Sequence, residues 1–306
     1  MSRTEHLVTV DALAAELETS FPPVLLDVRW RLFDEPEAGW RRYLDQHLPG
    51  ARFLDLERVL TGHTDNPRDG RHPLPDLETL VAGLRELGVS ASDDLVVYDD
   101  PVSFAADRAW WVLRWVGLRA RVLDGGLPAW VAGAEETESG KPEAEPEPPL
   151  PSRSMGLDGL HTGQLSSIDA DEAARFPEHG VLVDCRAPNR FSGEYEPLDP
   201  RAGHIPGAVN ISAATLFTDD GHLPADDELH RRLAGLIGVT EQTGATEQGP
   251  VAAYCGSGVS AAHDVLALAV LGRDAALFPG SWSAWSNDPD RPAATGSGSP
   301  GSPPAH

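Results

Sequence analysis

Two short stretches decide the fold: Val24-Leu25-Leu26-Asp27-Val28-Arg29 and Val181-Leu182-Val183-Asp184-Cys185-Arg186. Each is an apolar run closed by Asp-x-Arg, which reads as a buried strand ending in a polar turn. Moving outward, each is followed by a His-x-Pro-Gly-Ala run, at His47–Ala51 and at His204–Ala208. Then comes a second apolar strand, ending at Asp99 in one half and at Cys255 in the other. A Trp-terminated run closes each half, Asp124–Trp130 and Pro279–Trp285. The offsets are 157 residues from Asp27 to Asp184, 157 from His47 to His204, 156 from Asp99 to Cys255 and 155 from Trp130 to Trp285. Four marks in one order at a nearly constant offset define a duplicated domain.

Within each half, strands alternate with amphipathic helices. Strands are expected at 24–26, 95–98, 122–123, 181–183, 251–254 and 275–278, and helices at 76–87, 105–116, 226–237 and 260–271. That alternation predicts an α/β fold, each domain a mainly parallel sheet flanked by helices. Ligand sites in such sheets lie beyond the carboxyl ends of the strands. The expected boundaries are a first domain over 1–134, a Pro/Glu-rich linker over 135–160, a second domain over 161–286 and a disordered tail over 287–306. A loop is expected at 240–249.

The chain has 306 residues, enough for two self-sufficient cores. Its net charge of −24 offers no electrostatic footprint for nucleic acid or an anionic membrane. No apolar run approaches the ~18 residues of a membrane span; Val265–Leu271 is the best candidate. Acidic residues at Glu5, Asp11, Glu16 and Glu18 do not fit a secretory signal, so a cytoplasmic address is expected. Two cysteines make neither a disulfide framework nor a zinc cluster, and no histidine pair has ligand-like spacing. No metal and no organic cofactor are expected.

The chemistry-bearing loop is Tyr254-Cys255-Gly256-Ser257-Gly258-Val259-Ser260-Ala261, between a strand and a helix. Backbone amides converging at a helix N-terminus favour a thiolate, and Gly256 and Gly258 let the chain curl around it. Cys255 is the candidate nucleophile. A dinucleotide fingerprint fits Gly256–Ala261 poorly, because too little chain follows and no acid closes the next strand. A cysteine phosphatase would need Arg at position 261, which is Ala. A merely buried cysteine at a strand end is the remaining alternative.

The duplicated halves, the Asp-x-Arg turns, the Gly203–Ala208 run and the Cys255–Ser260 loop together resemble the two-domain rhodanese family of sulfurtransferases. Asp107–Trp111 and Asp124–Trp130 in the first half resemble it as well. The resemblance implies a catalytic second domain and a first domain that has lost its nucleophile, consistent with Asp99 in the cysteine register. It implies sulfane sulfur transfer through a Cys255 persulfide to a thiol or cyanide acceptor, with thioredoxin among the candidate acceptors. A neutral Gly256-Ser257 after the cysteine is similar to the branch that uses 3-mercaptopyruvate. Flanking cations would mark the thiosulfate branch, which stays as the alternative donor class, and a non-enzymatic persulfide carrier stays as a third reading.

The same resemblance places Arg186 and Arg190 as substrate arginines, with Arg201 a weaker candidate. Gly256, Gly258, Val259 and Ser260 would contact the donor. It also suggests a relay of Ser257, His72 and Glu57, with Asp55 as the fallback acid. His47 and His204 recur in both halves and are expected to brace turns. Cys185 is expected to pack, and Trp110, Trp111 and Trp115 to fill core and domain interface.

Overall fold

The computed structural model describes residues 2–133, 135–141, 156–237 and 249–296. In the first half the strands are β1 (Leu7–Val8), β2 (Val24–Asp27), β3 (Arg52–Phe53), β4 (Asp94–Tyr98) and β5 (Arg119–Leu123). The second half carries β6 (Val181–Asp184), β7 (Val209–Asn210), β8 (Val251–Tyr254) and β9 (Ala275–Leu277). The first-half helices are α1 (Val10–Leu17), α2 (Ala38–Asp45), α3 (Leu56–Val59), α4 (Leu77–Glu86), α5 (Ala105–Trp115) and α6 (Gly126–Ala132). Those of the second half are α7 (Ala170–Arg175), α8 (Pro188–Ser192), α9 (Asp226–Ile237), α10 (Ala261–Val270) and α11 (Ser281–Ser286).

Among the described residues the strands form two sheets, ordered β1-β5-β4-β2-β3 and β7-β6-β8-β9, with every pairing parallel. The register repeats as the sequence does: Asp27 pairs with Tyr98, and Asp184 with Tyr254. The predicted strands and helices fall within one or two residues of these elements, except that β5 starts three residues earlier, at Arg119. Two-residue strands such as β3 and β7 are too short to show a period.

Local chemistry sets the helix starts. Asp76 caps α4 by accepting from the Thr79 amide at 2.7 Å, and Asp169 with Glu172 forms a reciprocal capping box on α7. On α4, Leu80, Val81 and Leu84 form the buried stripe. One buried cluster runs through both halves, joining Leu26, Val97 and Trp111 to Val183, Ala253 and Leu266. The two domains therefore share a core, which fixes the cleft between them. No described helix is long and apolar enough to cross a membrane.

Two expectations need correction. Of the linker, 142–155 lie outside the described residues, but its ends are docked rather than solvated. Glu138 bridges His47, Trp130 Nε1 donates to the Glu136 carbonyl at 2.7 Å, and Leu157 is buried. The tail is likewise packed over 287–296. There Trp285 Nε1 donates to the Pro292 carbonyl at 2.8 Å, Arg291 pairs with Asp171 at 2.6 Å, and Ala294 bridges His204. Composition pointed to disorder, yet these small and proline residues supply the carbonyls that satisfy buried donors. Positions 297–306 and the expected loop at 240–248 lie outside the described residues.

Candidate active site

A cavity of about 470 Å³ opens where the carboxyl ends of β2, β4, β6 and β8 face each other across the domain boundary. Trp30, Val102 and Phe104 line it from the first domain. From the second come Cys185, Arg190 and the stretch from Cys255 to Ser260 apart from Gly258.

Cys255 is buried one residue past β8. Its backbone is pinned: the amide donates to Ser281 Oγ at 3.1 Å, and Ser281 Oγ donates to the Phe278 carbonyl at 2.9 Å. The thiol sulfur accepts the Gly258 amide at 3.1 Å. Gly258 sits at φ +78°, and a Cβ there would lie 2.5 Å from the Pro279 carbonyl oxygen, so no other residue type fits. The first domain builds the same turn around Asp99, whose carboxylate accepts the Ala106 amide at 2.9 Å and the Ser103 hydroxyl. Burial and the neighbouring Asp107 push the Asp99 acid up to about 7.

The proposed relay is assembled. Ser257 Oγ is 2.7 Å from His72 Nδ1, and His72 Nε2 is 3.2 Å from Glu57 Oε1. Trp30 Nε1 also donates to Glu57 Oε1, at 2.9 Å. A carboxylate on Nε2 fixes the proton there, so Nδ1 accepts from the Ser257 hydroxyl. Burial opposes the Glu57 charge, but the His72 and Trp30 donors outweigh it and hold the carboxyl below its ordinary value. Asp55, the fallback acid, is spent on capping α3, accepting from the Glu57 and Arg58 amides.

The arginines are held in different ways. Arg186 is buried and committed: its guanidinium pairs with Asp184 at 2.6 Å and Glu196 at 3.2 Å, bonds the Gly203 carbonyl and lies over Trp282. Arg29 makes the same pair with Asp27 in the half that lacks the nucleophile, at 2.9 Å. The Asp-x-Arg turn is thus braced in both halves, and Arg186, so held, also lines the cavity, where the expected substrate role would place it. Arg201 is spent on the carbonyls of Trp285, Ser286, Asp288 and Arg291.

Arg190 also faces the cavity, held by Glu196 at 2.7 Å and Asp199 at 3.2 Å. Beside it stands Arg71, which sequence reasoning missed although it adjoins His72. Arg71 pairs with the same Asp199. A Cβ on Gly256 would lie 3.1 Å from Arg71 Nη2 and 3.3 Å from Arg190 Nη1. Glycine after Cys255 therefore lets two guanidinium edges from different domains converge on the loop. Among the described residues, neither of those two nitrogens has a protein acceptor.

A second missed residue is Arg108. It is fully buried and donates to the Gly258 carbonyl at 3.2 Å and the His72 carbonyl at 3.0 Å, tying the Cys255 loop to the His72 loop. Burial lowers its pKa to about 10, while charge on Cys255 favours its cation. Its signal lay in the Asp107–Trp111 run. Val259 is buried at the cavity wall and Ser260 opens α10. His47 and His204 bond the Tyr43 and Phe191 carbonyls through Nδ1, bracing their turns.

This fold and site define a tandem α/β protein with one cysteine loop at a domain cleft. The rhodanese-like domain model matches residues 9–133 and 169–288, and the chain belongs to the rhodanese family. It is 44% identical over 96% of its length to 99% of the Mycobacterium tuberculosis protein named "Putative thiosulfate sulfurtransferase SseB". It is 40% identical over 95% of its length to 98% of the Pseudomonas aeruginosa "Probable 3-mercaptopyruvate sulfurtransferase". Among solved structures, SseA from Escherichia coli, described as a 3-mercaptopyruvate sulfotransferase, aligns with a TM-score of 0.73 at 31% identity. That alignment covers 90% of this chain and 98% of SseA.

Proposed function

We propose that the protein is a sulfurtransferase that takes a sulfane sulfur from 3-mercaptopyruvate onto Cys255 and passes it to a thiol or cyanide acceptor. The observation that carries this reading is the Ser257–His72–Glu57 chain beside the cysteine. A thiolate attacking the donor sulfur breaks a carbon–sulfur bond, and the leaving group is an enolate that needs a proton. A hydroxyl backed by an imidazole and a carboxylate suits that demand. Thiosulfate, which expels sulfite, needs no such relay.

Cys255 then holds the persulfide, its charge cradled by the Gly258 amide and the neighbouring loop. Arg71 and Arg190 offer their free edges to the donor carboxylate. Asp199 and Glu196 offset much of their charge, which favours a monoanion over a compact dianion. Two separate half-reactions give ping-pong kinetics. Both cysteines are free, and sulfur transfer through a thiol requires a reducing setting, in keeping with a cytoplasmic location.

Thiosulfate is the second reading, favoured by the name of the mycobacterial relative and by the two convergent guanidinium groups. The test is kcat/KM for each donor with cyanide as acceptor. A clear preference for 3-mercaptopyruvate is expected. A preference for thiosulfate would transfer the assignment to the second reading.

A further inference from the structure

Cys185 places a second thiol in the catalytic cavity. Asp184 pairs with Tyr254 across β6 and β8, and the ladder runs one step further, the Cys185 amide donating to the Tyr254 carbonyl at 2.8 Å. Cys185 and Cys255 are therefore cross-strand neighbours on strands about 4.8 Å apart. Side-chain alternation sends both to the face opposite Tyr254, and both belong to the core cluster that holds Val183 and Ala253. Both line the same cavity. Adjacent strand positions fall within the roughly 4.4–6.8 Å Cα separation that a disulfide spans.

A second observation concerns Asp264 on α10. It is 1% exposed, and neither carboxylate oxygen has a hydrogen-bond partner that would fix it. Such a buried acid is costly unless it has a task. Burial pushes its carboxyl up to about 7, and it acts directly on the Cys185 thiol. Burial, Asp264 and Cys255 together push that thiol up, so Cys185 rests protonated beside a proton acceptor.

We propose that Cys185 is an internal resolving thiol that converts the Cys255 persulfide into a Cys185–Cys255 disulfide and releases hydrosulfide. Asp264 takes the Cys185 proton, and the Cys185 sulfur attacks Cys255 Sγ. The bond between Sγ and the sulfane sulfur breaks, and that sulfur leaves as HS⁻, taking the proton that Asp264 received from Cys185. One sulfur–sulfur bond forms and one breaks. The sulfane sulfur is reduced to sulfide while the two cysteines are oxidised, so no outside oxidant is needed. A dithiol reductant reopens the site. Because Cys185 rests as a thiol, an external acceptor wins when present, and the internal step takes over when acceptor is scarce.

This inference rests on the persulfide reading above. The test loads the full chain with 3-mercaptopyruvate without acceptor and follows intact mass and released sulfide over time. In the unaltered protein the added sulfur is expected first. It then gives way to a species two hydrogens lighter than the starting protein, with one sulfide released per chain. Non-reducing peptide mapping should join the peptides containing Cys185 and Cys255, a readout that needs no variant. C185S should retain the persulfide, and D264N, which keeps both thiols, should slow disulfide formation by roughly 100-fold. Equal persulfide lifetimes in the unaltered protein and C185S, with no joined peptides, would overturn the inference while leaving the persulfide reading intact. Failure of any form to gain sulfur would remove the persulfide reading itself and this inference with it.

Discussion

Ser257 Oγ and His72 Nδ1 lie 2.7 Å apart across the domain boundary, although 185 residues separate them in the chain. Each domain alone holds half of the relay, the hydroxyl beside the nucleophile in one and the imidazole with Glu57 in the other. On the proposed reading the first domain is a working part of the site. Removing the imidazole leaves Ser257 without its acceptor and Glu57 without its Nε2–H donor. H72A and S257A should lower kcat with 3-mercaptopyruvate by roughly 100-fold, the usual scale for a positioned acid–base group. Thiosulfate turnover by the same variants should stay near that of the unaltered protein, since sulfite leaves without a proton. Parallel losses with both donors would show that the pair serves only the fold.

The two cavity arginines and the buried one should separate in experiment. R71Q and R190Q each remove one charged donor, typically about 1.5–3 kcal/mol, so the donor KM should rise at least about tenfold with little change in kcat. R186Q leaves Asp184 buried without its cation, a loss of about 3–5 kcal/mol in folding stability. Urea titration and steady-state kinetics on the three variants test this division. A stable R186Q with raised KM would show that Arg186 serves the substrate and not the fold.

The two loop glycines make a similar contrast. A Cβ at position 258 meets backbone at 2.5 Å in a left-handed conformation, whereas one at 256 meets only the tips of two flexible arginines. G258A should therefore unfold the loop and abolish activity, with a stability loss of at least about 1–2 kcal/mol. G256A should fold normally and weaken donor binding. Thermal melts beside KM values distinguish them, and equal behaviour would contradict the geometry.

Stability should depend on pH through the buried acids. Asp99 and Asp264 are each raised to about 7 from an ordinary carboxyl value of 3.8. The native state then binds more protons than the unfolded chain between those values. Stability from each is fully present below the unfolded value and lost as pH rises through the native one. Urea midpoints near pH 5 and near pH 8 should differ in that sense. D99N should flatten the difference by on the order of 1–3 kcal/mol. Superimposable profiles for D99N and the unaltered protein would contradict it.

Much of this site was legible because the features that build it are local. Apolar strands, Cys255 in a glycine turn and the repeat register all lie within short windows. Ser257 adjoins Cys255, and His72 and Glu57, which it meets in the fold, stood out through motif resemblance. What sequence did not show for Arg186 is how tightly its guanidinium is held. It folds back onto Asp184, as Arg29 does onto Asp27 in the first half. Arg71 and Arg108 depend on how two domains dock, which no local pattern encodes. The packing of 287–296 depends on indole and guanidinium donors waiting elsewhere in the fold, so composition alone pointed the other way.

The most direct measurement is the intact mass of the protein quenched rapidly after mixing with 3-mercaptopyruvate in the absence of acceptor. The account predicts a gain of one sulfur atom in the unaltered chain and none in C255S. A C255S protein that gains the same sulfur, or an unaltered chain that gains none, would contradict the assignment of Cys255 as the atom that carries it.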